Sequence, residues 1–423
     1  MNNPLIIAVS LFVLTYLLIV TEKFNRTAVA MFGAVLMLVF HVEHQELAFD
    51  YIDLNTIFLL IGMMIIVGIM RRTGIFEYMA IWMAKLVKGD PWRIVLLFSV
   101  LTGVSSALLD NVTTILLVVP VTIVIAEALE LNPIPFLIPE VLIANIGGTA
   151  TLIGDPPNIM IGSATKLGFN DFLINLSPVV VITVALSLFA LKFVYKAKLV
   201  SSAEKRQKIM KMDEKIAIKD KALLYKSIAV LGLTIVGFLS HQFLGYESAT
   251  VALFGAGLLL LISKCDPEEV LAEVEWGTIF FFASLFILVG ALEEVGVIEF
   301  LAMKLIAVTG GNMMFTVMVI LWGSAIASAF LDNIPFVATM IPLIQNMGKL
   351  GGMDITPLWW ALALGACLGG NGTMIGASAN VIVGGLLGKY GYKLSFWDFM
   401  KVGFPIMLLS IVISSVYMVV VYL

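Results

Sequence analysis

The chain has 423 residues, of which 61% are hydrophobic and 13% are charged, and its mean hydropathy is +1.06. A soluble domain carries about 25% charged residues, so this composition excludes an ordinary soluble protein. Many runs of roughly 20 apolar residues are long enough to cross a bilayer as helices. The sequence therefore predicts an all-α polytopic protein of the lipid bilayer, and we expect no nucleic-acid partner. The net charge of −4 is not informative about partners in a membrane protein.

The first apolar run, PLIIAVSLFVLTYLLIV, extends from Pro4 to Val20. No basic residue precedes it and no small-residue cleavage site follows it, so the pattern predicts a spanning helix and not a signal peptide. The first positive charges, Lys23 and Arg26, come after the run. This order favours an N-terminus outside the cell.

The apolar runs of the first half predict five spans and one re-entrant hairpin. The loop 43–53 carries four acids and no Lys or Arg, whereas the segment 71–93 is rich in both, so we place the loop outside and the segment inside. We interpret residues 71–89 and 293–310 as interfacial amphipathic helices. The predicted spans are 4–20, 27–41, 54–70, 136–162 and 172–195, and the hairpin is 92–127.

A polar linker follows at residues 196–222. From Lys196 to Lys226 the sequence holds ten Lys or Arg residues against four acids. Because basic loops stay on the cytoplasmic side, we expect the linker to be cytoplasmic, both termini to be outside, and the membrane to be a bacterial inner membrane.

The second half repeats the first at a constant offset of 222 residues. An ungapped register that matches polar and glycine positions is not a consequence of apolar composition. The chain therefore consists of two copies of one unit, 1–195 and 223–423, with the second hairpin at about 313–345 and the interrupted spans at about 136–162 and 357–388. Matched pairs include Asp110/Asp332, Asn111/Asn333, Gly148/Gly370, Thr151/Thr373, Gly154/Gly376 and Asn158/Asn380.

An odd number of spans in each unit makes the two copies inverted with respect to the membrane. Arg71-Arg72 in the first unit is replaced by Glu293-Glu294 in the second, as expected for a copy that is upside down. Inverted repeats are the architecture of many secondary transporters.

The phrase LDNVTTILLVVP places Asp110, Asn111 and Thr113 inside an apolar stretch, and LDNIPFVATMIP repeats this with Asp332 and Asn333. Asp110 could simply cap the helix that follows. Acids within a bilayer are costly and usually functional, however. We predict that each phrase is the tip of a re-entrant hairpin whose second arm directs free N–H groups to the middle of the membrane.

The phrases NIGGTATLIGDPPNIMIG and CLGGNGTMIGASANVIVG are rich in glycine and contain paired Thr and Asn residues. With the two prolines of the first phrase, they predict a break in a spanning helix. One difference separates the copies, because Asp155 corresponds to Ala377. Cys367 is more typical of a small buried hydrophobe than of a ligand.

None of these four phrases contains Lys, Arg or His, which favours a cation, a proton, or a neutral or weakly acidic solute over a multiply charged anion. The three histidines fall at predicted segment ends, and the two cysteines have no metal-ligand spacing. We therefore expect no metal site and no cofactor other than a coupling ion, H⁺ or Na⁺.

Taken together, the phrases LDNVTTILLVVPVTI, NIGGTATLIGDPPN, LDNIPFVATMIP and GGNGTMIGASANV resemble the ion-transporter superfamily, in its arsenite permease, sodium–proton antiporter and P-protein branch. The resemblance covers essentially the whole chain and implies an inverted-repeat carrier of the elevator type. The sequence leaves open whether the carrier is a monomer or a homodimer. The binding residues it implies are Asp110, Asn111, Thr113, Gly148, Thr151, Asp155, Asn158, Asp332, Asn333, Gly370, Thr373 and Asn380.

Related carboxylate carriers have Ser-Asn-Thr at the equivalent turns. The sequences Asp110-Asn111-Val112-Thr113 and Asp332-Asn333-Ile334-Pro335 depart from that pattern and disfavour sodium-coupled carboxylate uptake. Our leading hypothesis is proton-coupled exchange of a small inorganic solute, with arsenite efflux first and Asp110, Asp332 and Asp155 coupling the proton.

Several alternatives stay open. Sodium–proton antiport by the same acids comes second, and an anion permease or a passive channel follows. An intramembrane aspartyl protease is remote, because Leu152-Ile153-Gly154-Asp155 lacks the first glycine of the expected Gly-x-Gly-Asp pattern.

Overall fold

The computed structural model describes residues 4–21 and 23–423. Residues 1–3, which precede the first predicted span, and residue 22 lie outside the described residues. In the described ranges the secondary structure is helical, with turns between the helices and no strand.

The first half contains the ten α-helices that precede the linker. Two helices, α6 and α7, occupy the predicted hairpin, and α8 and α9 occupy the predicted interrupted span. The helices are α1 Pro4–Val20, α2 Arg26–Val39, α3 Gln45–Asp50, α4 Leu54–Arg71, α5 Ile75–Leu86, α6 Pro91–Leu109, α7 Asn111–Ala128, α8 Ile134–Gly148, α9 Pro156–Thr165 and α10 Phe169–Tyr195.

The linker contains one short α-helix, α11, at Ala203–Met210, between two 3-10 turns. Lys205 and Lys208 of this helix form ion pairs with Glu130, which follows the end of α7. Lys85 of α5 pairs with Glu214 at 2.6 Å. These contacts fix the basic linker at the C-terminal end of α7.

The second half contains another ten helices in the same order as the first. The second arm of its hairpin, α18, continues six residues beyond the predicted end at residue 345. The helices are α12 Lys221–Leu244, α13 Ser248–Ser263, α14 Pro267–Ala272, α15 Trp276–Glu294, α16 Val297–Thr309, α17 Met313–Phe330, α18 Asn333–Gly351, α19 Thr356–Gly369, α20 Ser378–Lys389 and α21 Phe396–Tyr422.

One pair of equivalent helices, α6 and α17, begins in the same way in both halves. Asp90 accepts a hydrogen bond from the Arg93 N–H and caps α6, and Asn312, 222 residues later, caps α17 through the Phe315 N–H. Both caps satisfy N–H groups that have no partner within the first turn of their helix. The 222-residue offset in sequence therefore also relates the capped starts of these two helices.

Helix packing divides the molecule into two groups. In an outer group, α2 packs on α15 and α13 packs on α4, and α1 and α12 join this group through α2 and α13. An inner group comprises α6 to α10 and α17 to α21, in which α6 packs on α8 and α17 on α19. Every residue of α8 from Phe136 onward and every residue of α19 from Pro357 onward is buried, so these two helices form the centre of the molecule.

By length and composition, eight helices in the described ranges could cross a membrane: α4, α6, α7, α10, α12, α15, α17 and α21. Five shorter apolar helices, among them α8 and α19, accompany them. Helices α6 and α7 have 19 and 18 residues, so each is long enough to cross a membrane by itself. Length alone therefore does not distinguish a re-entrant hairpin from two spans.

Outside the predicted spans, Glu43 lies between α2 and α3 with both carboxyl oxygens buried, and neither oxygen has a hydrogen-bond partner among the described residues. Burial, followed by the nearby charge of Glu294, raises its pKa to about 7. Because the folded state binds this proton more tightly than the unfolded state, the contribution of Glu43 to stability is greatest at acidic pH and falls as the pH rises from about 4.5 to about 7.

We therefore expect Glu43→Gln to raise the melting temperature by a few degrees at pH values above that window, and to have little effect below it. The measurement is the melting temperature of the detergent-purified protein across pH, with exposed Glu46→Gln as the matched control. Equal pH slopes in Glu43→Gln and the wild type would contradict the prediction.

Candidate functional site

The first hairpin tip is built around Asp110, which separates α6 from α7. Its carboxylate accepts hydrogen bonds from the Thr113 N–H at 2.7 Å and the Thr113 hydroxyl at 2.6 Å. The backbone of Asp110 has φ 117° and ψ 159°, a conformation that favours glycine. The side chain caps α7 and helps to hold this strained turn, which leaves Asn111 at the start of the helix.

The second tip is held differently, because Pro335 stands where the first tip has Thr113. Asp332 accepts a hydrogen bond from the Ile334 N–H and forms an ion pair with Arg26 Nη1 at 2.8 Å. The same Arg26 nitrogen donates to the hydroxyl of Ser378 at 2.7 Å. Arg26 belongs to α2 in the outer group, so this ion pair connects the outer group to the second tip.

The two interrupted segments have matching backbone contacts. Thr151 donates its hydroxyl hydrogen bond to the Ala107 carbonyl, and Thr373 donates to the equivalent Ala329 carbonyl. Asn158 donates to the Thr151 carbonyl, and Asn380 donates to the Thr373 carbonyl, each at 2.9 Å. These predicted site residues thus hold the loop of each break against its hairpin.

Glycine is required where each break folds back on itself. A Cβ added to Gly148 would lie 2.4 Å from the carbonyl oxygen of Gly154, and one added to Gly370 would lie 2.9 Å from that of Gly376. Real Cβ atoms do not approach backbone this closely, so both breaks depend on glycine for the close approach.

Asp155 lies where the two hairpin tips converge. The Asn111 amide lies 3.3 Å from its Oδ1, and the Asn333 amide lies 3.4 and 3.5 Å from its two oxygens. Asp155 is 1% exposed, and no ion pair to it is formed within the described ranges. One buried carboxylate from the first half therefore receives an amide from each tip.

A group of buried asparagines surrounds this carboxylate. Asn145 of α8 accepts from Asn111 at 3.1 Å and donates to Asn371 and Asn380, each at 2.9 Å. Cys367 lies beside the group with its sulfur 3.5 Å from the Asn158 Oδ1. The polar centre is thus a network of amides around one acid, and it joins both breaks to both tips.

The structure brings three of the predicted site residues together, Asn111, Asn333 and Asp155, whereas the other two acids bond different groups. Asp110 bonds Thr113, and Asp332 bonds Arg26 and Ser378. Among the described residues, no cluster of three or more His, Cys, Asp or Glu side chains is arranged to hold a metal ion.

Sequence reasoning missed Asn145, Asn371 and Ser378. All three lie in or beside the quoted phrases, but the 222-residue offset pairs them with Cys367, Thr149 and Pro156. Selecting residues that match between the halves therefore excluded them. They could have been found by selecting every amide or hydroxyl side chain in these apolar segments, whether or not the other half has the same residue.

Because the four polar phrases contain no Lys, Arg or His, the sequence indicated a site without a fixed positive charge, and this was wrong. That prediction considered only the four polar phrases, whereas Arg26 reaches Asp332 from 306 residues away in the chain. Arg26 also places its guanidinium 5.1 Å from the ring centre of Phe281, which anchors it to α15 of the outer group. Within the described ranges, the second tip therefore has an ion-paired cation and the first tip has none.

We expect Arg26→Ala to destabilise the protein by about 1–3 kcal/mol, because it leaves the charge of Asp332 without its cation. The side chain of Asp332 is only 11% exposed, so water cannot fully replace Arg26. Adding Asp332→Asn should restore part of the loss, since both charges are then absent. Melting temperatures of the two variants, with Lys23→Ala as the control, test this. Equal losses in the single and double variants would contradict it.

The family model described as CitMHS, citrate transporter, matches residues 16–365 of the chain. The chain is 45% identical over 419 residues to a protein of Mycobacterium tuberculosis described as an uncharacterized transporter, with 98% of this chain and 97% of that protein covered. It is 33% identical over 499 residues to the human P protein, with 98% of this chain and 59% of that longer protein covered.

A solved structure of the YdaH transporter from Alcanivorax borkumensis has a similar fold, with a TM-score of 0.60 at 12% identity. The match covers 99% of this chain and 98% of that one. This resemblance concerns the fold alone. Since the family and the relatives are transporters and not enzymes, the protease hypothesis is excluded. The chain is an integral membrane transporter and belongs to the CitMHS citrate-transporter family.

Proposed function

We propose that the chain is a proton-coupled secondary transporter that exchanges protons for a small, weakly acidic or neutral inorganic solute. The leading candidate for the solute is arsenite, which the protein would export. The observation that carries this proposal is the position of Asp155, a buried carboxylate that receives an amide from each tip. A carboxyl group there can bind a proton when the solute is absent. When the carboxyl group is ionised, it can accept hydrogen bonds from a hydroxylated solute.

The architecture we propose is a pair of inverted repeats that operates by an elevator motion. Helices of the inner group pack mainly on one another, as do those of the outer group. Among the described residues, polar contacts between the groups are confined to four places. These are Arg26 with Asp332 and Ser378, Tyr16 with the Pro335 carbonyl, Ser163 with Asn55 and Asp53, and the start of α10 (Phe169, Asn170, Asp171) with the end of α12 (His241, Leu239, Gln242). The inner group would carry both tips and both breaks across the membrane, and these contacts would break and re-form.

The charges near the site favour a solute without multiple negative charges. Asp110, Asp155 and Asp332 lie near the tips, and the cation Arg26 is already paired with Asp332. Arsenite is an uncharged hydroxide at neutral pH, so amides and one carboxylate can bind it without a cationic clamp.

Sodium–proton antiport is the second candidate. The observation in its favour is the excess of carboxylates over cations, combined with amide and backbone oxygens at the breaks, which are ligand types that hard cations prefer. An anion permease is the third possibility. The description of the family model names citrate, and Arg26 would be the group that recognises a carboxylate.

We place the protein in the bacterial cell membrane with the linker on the cytoplasmic side. The excess of basic residues in the linker, and its ion pairs at the C-terminal end of α7, support this orientation. Labelling of single cysteines introduced in the linker and at the C-terminus of intact cells tests it. Labelling of the linker by a reagent that does not cross membranes would contradict it.

The experiment that tests the function uses purified protein in liposomes that enclose a pH-sensitive dye. Arsenite, sodium chloride or citrate is added to one side, and protein-free liposomes serve as the control. Proton movement triggered by arsenite supports our proposal, and movement triggered by sodium alone supports the antiporter. A response to citrate alone supports the anion permease, and both of these last results would overturn arsenite exchange.

A further inference from the structure

Glu140 is a buried acid that the central network does not use. It lies on α8 and is 0% exposed, and its two carboxyl oxygens each lie 3.1 Å from the hydroxyl of Thr122 on α7. No other hydrogen bond to its carboxyl group and no ion pair is formed within the described ranges. An ionised carboxylate held by a single hydroxyl in an apolar interior costs several kcal/mol, and binding a proton removes that cost.

The repeat shows that the fold does not need this acid. At the offset of 222 residues, Glu140 corresponds to Leu362 and Thr122 corresponds to Ile344. Leu362 is also fully buried, on the equivalent helix α19. Because two apolar residues fill the same place in the second half, packing alone does not explain a carboxyl group and its hydroxyl partner in the first half.

The pair lies between the central site and the linker end of α7. Thr122 follows Asn111 by 11 residues, which is about 16 Å along a helix and close to three turns, so both side chains leave the same face of α7. Thr114 lies between them along that face, and its buried hydroxyl has no hydrogen-bond partner in the part of the chain that the structure describes. Beyond Thr122, α7 ends at Ala128 next to Glu130, which binds the linker.

Glu43 apart, which lies outside the predicted spans, the two buried acids that lack a cation within the described ranges, Glu140 and Asp155, both lie in the first half. Asp155 corresponds to Ala377, just as Glu140 corresponds to Leu362. This asymmetry coincides with a row of buried polar side chains along α7 from Asn111 through Thr114 to Thr122. The same three positions in the second half are Asn333, Phe336 and Ile344, so the row is not repeated there.

We propose that Glu140 and Thr122 form a second proton-binding site, which exchanges protons between the linker side of the membrane and Asp155. The inference rests on the proposed proton coupling. Glu140 would take up a proton while Asp155 is ionised and solute is bound, and it would supply that proton to Asp155 after the solute leaves. The row on α7 would line the route that the proton follows.

A test that does not depend on the solute is infrared difference spectroscopy of the purified protein during a pH titration. A protonated carboxylic acid has a carbonyl stretch that disappears on ionisation. We expect a band that titrates, is absent in Glu140→Gln, is shifted in Thr122→Val and is kept in Asp155→Asn. A Glu140 band that never changes with pH would overturn the proposal, since the acid would then be a permanently neutral structural group.

The second measurement uses the variant Glu140→Leu combined with Thr122→Ile, which copies the second half and should therefore fold. In liposomes, arsenite-driven proton movement should fall roughly 100-fold, while exchange of labelled for unlabelled arsenite, which moves no net proton, should persist. Glu140→Asp should recover part of the proton movement. Unchanged proton movement in the double variant would overturn the second site and leave the proposed function intact.

If the wild-type protein itself moves no protons, the proposed function fails. The infrared band then decides the proton site independently, so the two failures are distinguishable.

Discussion

Replacing Asp155 with Asn should reduce arsenite-driven proton movement by roughly 100-fold or more, because it removes the one carboxyl group on which both tips converge. Asn has nearly the same shape as Asp and can still accept hydrogen bonds from Asn111 and Asn333 through its amide oxygen. The fold should therefore survive, and exchange of labelled for unlabelled arsenite should continue at a reduced rate.

The measurement is dye-reported proton flux in liposomes, with Asp398→Asn as the matched control. Asp398 lies near the start of α21 and is mainly exposed, and within residues 4–21 and 23–423 its partners are Ser395 and Lys401. If Asp155→Asn kept wild-type proton flux, the coupling role of Asp155 would have to be abandoned in favour of Asp110 or Asp332.

A methyl group at position 147 should severely destabilise the inner group. A Cβ added to Gly147 would lie 2.3 Å from the carbonyl oxygen of Gly103 and 2.6 Å from its Cα. The neighbouring atoms are backbone, so α6 and α8 would have to move apart. Overpacking of a core costs about 1–3 kcal/mol, and we expect Gly147→Ala to reach at least the upper end of that range.

The matched control is Gly232→Ala in the middle of α12, where an added Cβ meets nothing within 4 Å. That substitution should be neutral or slightly stabilising, because alanine favours helix more than glycine does. Size-exclusion profiles and melting temperatures in detergent provide the measurement. A Gly147→Ala protein that is monodisperse and melts like the wild type would show that α6 and α8 pack less tightly than described.

Much of the fold could be predicted from the sequence, because the relevant signals are local or repeated. Apolar runs predict helices, and glycine and proline predict where α8 gives way to α9. The end of α18 was less predictable. Residues 346–351 extend the helix beyond the apolar run, and it stops only at Gly352, which adopts a φ of +61°.

The candidate site was easiest to predict where both halves use the same residue. Asn111 and Asn333 match at the repeat offset and meet at Asp155. Arg26 has no counterpart, since Ser248 occupies its equivalent position, and nothing near it in sequence points to Asp332. Contacts between distant segments depend on how the helices pack, so pattern and spacing do not reveal them.

The central claim is that proton movement through this site drives a solute against its gradient. The most direct measurement imposes a pH gradient on liposomes that contain the protein, with labelled arsenite at the same concentration on both sides. Our account predicts that arsenite accumulates on the more acidic side, as exchange for protons requires, and that a protonophore abolishes the accumulation. Arsenite that crosses the membrane but stays equal on both sides would instead show a passive channel and contradict the account.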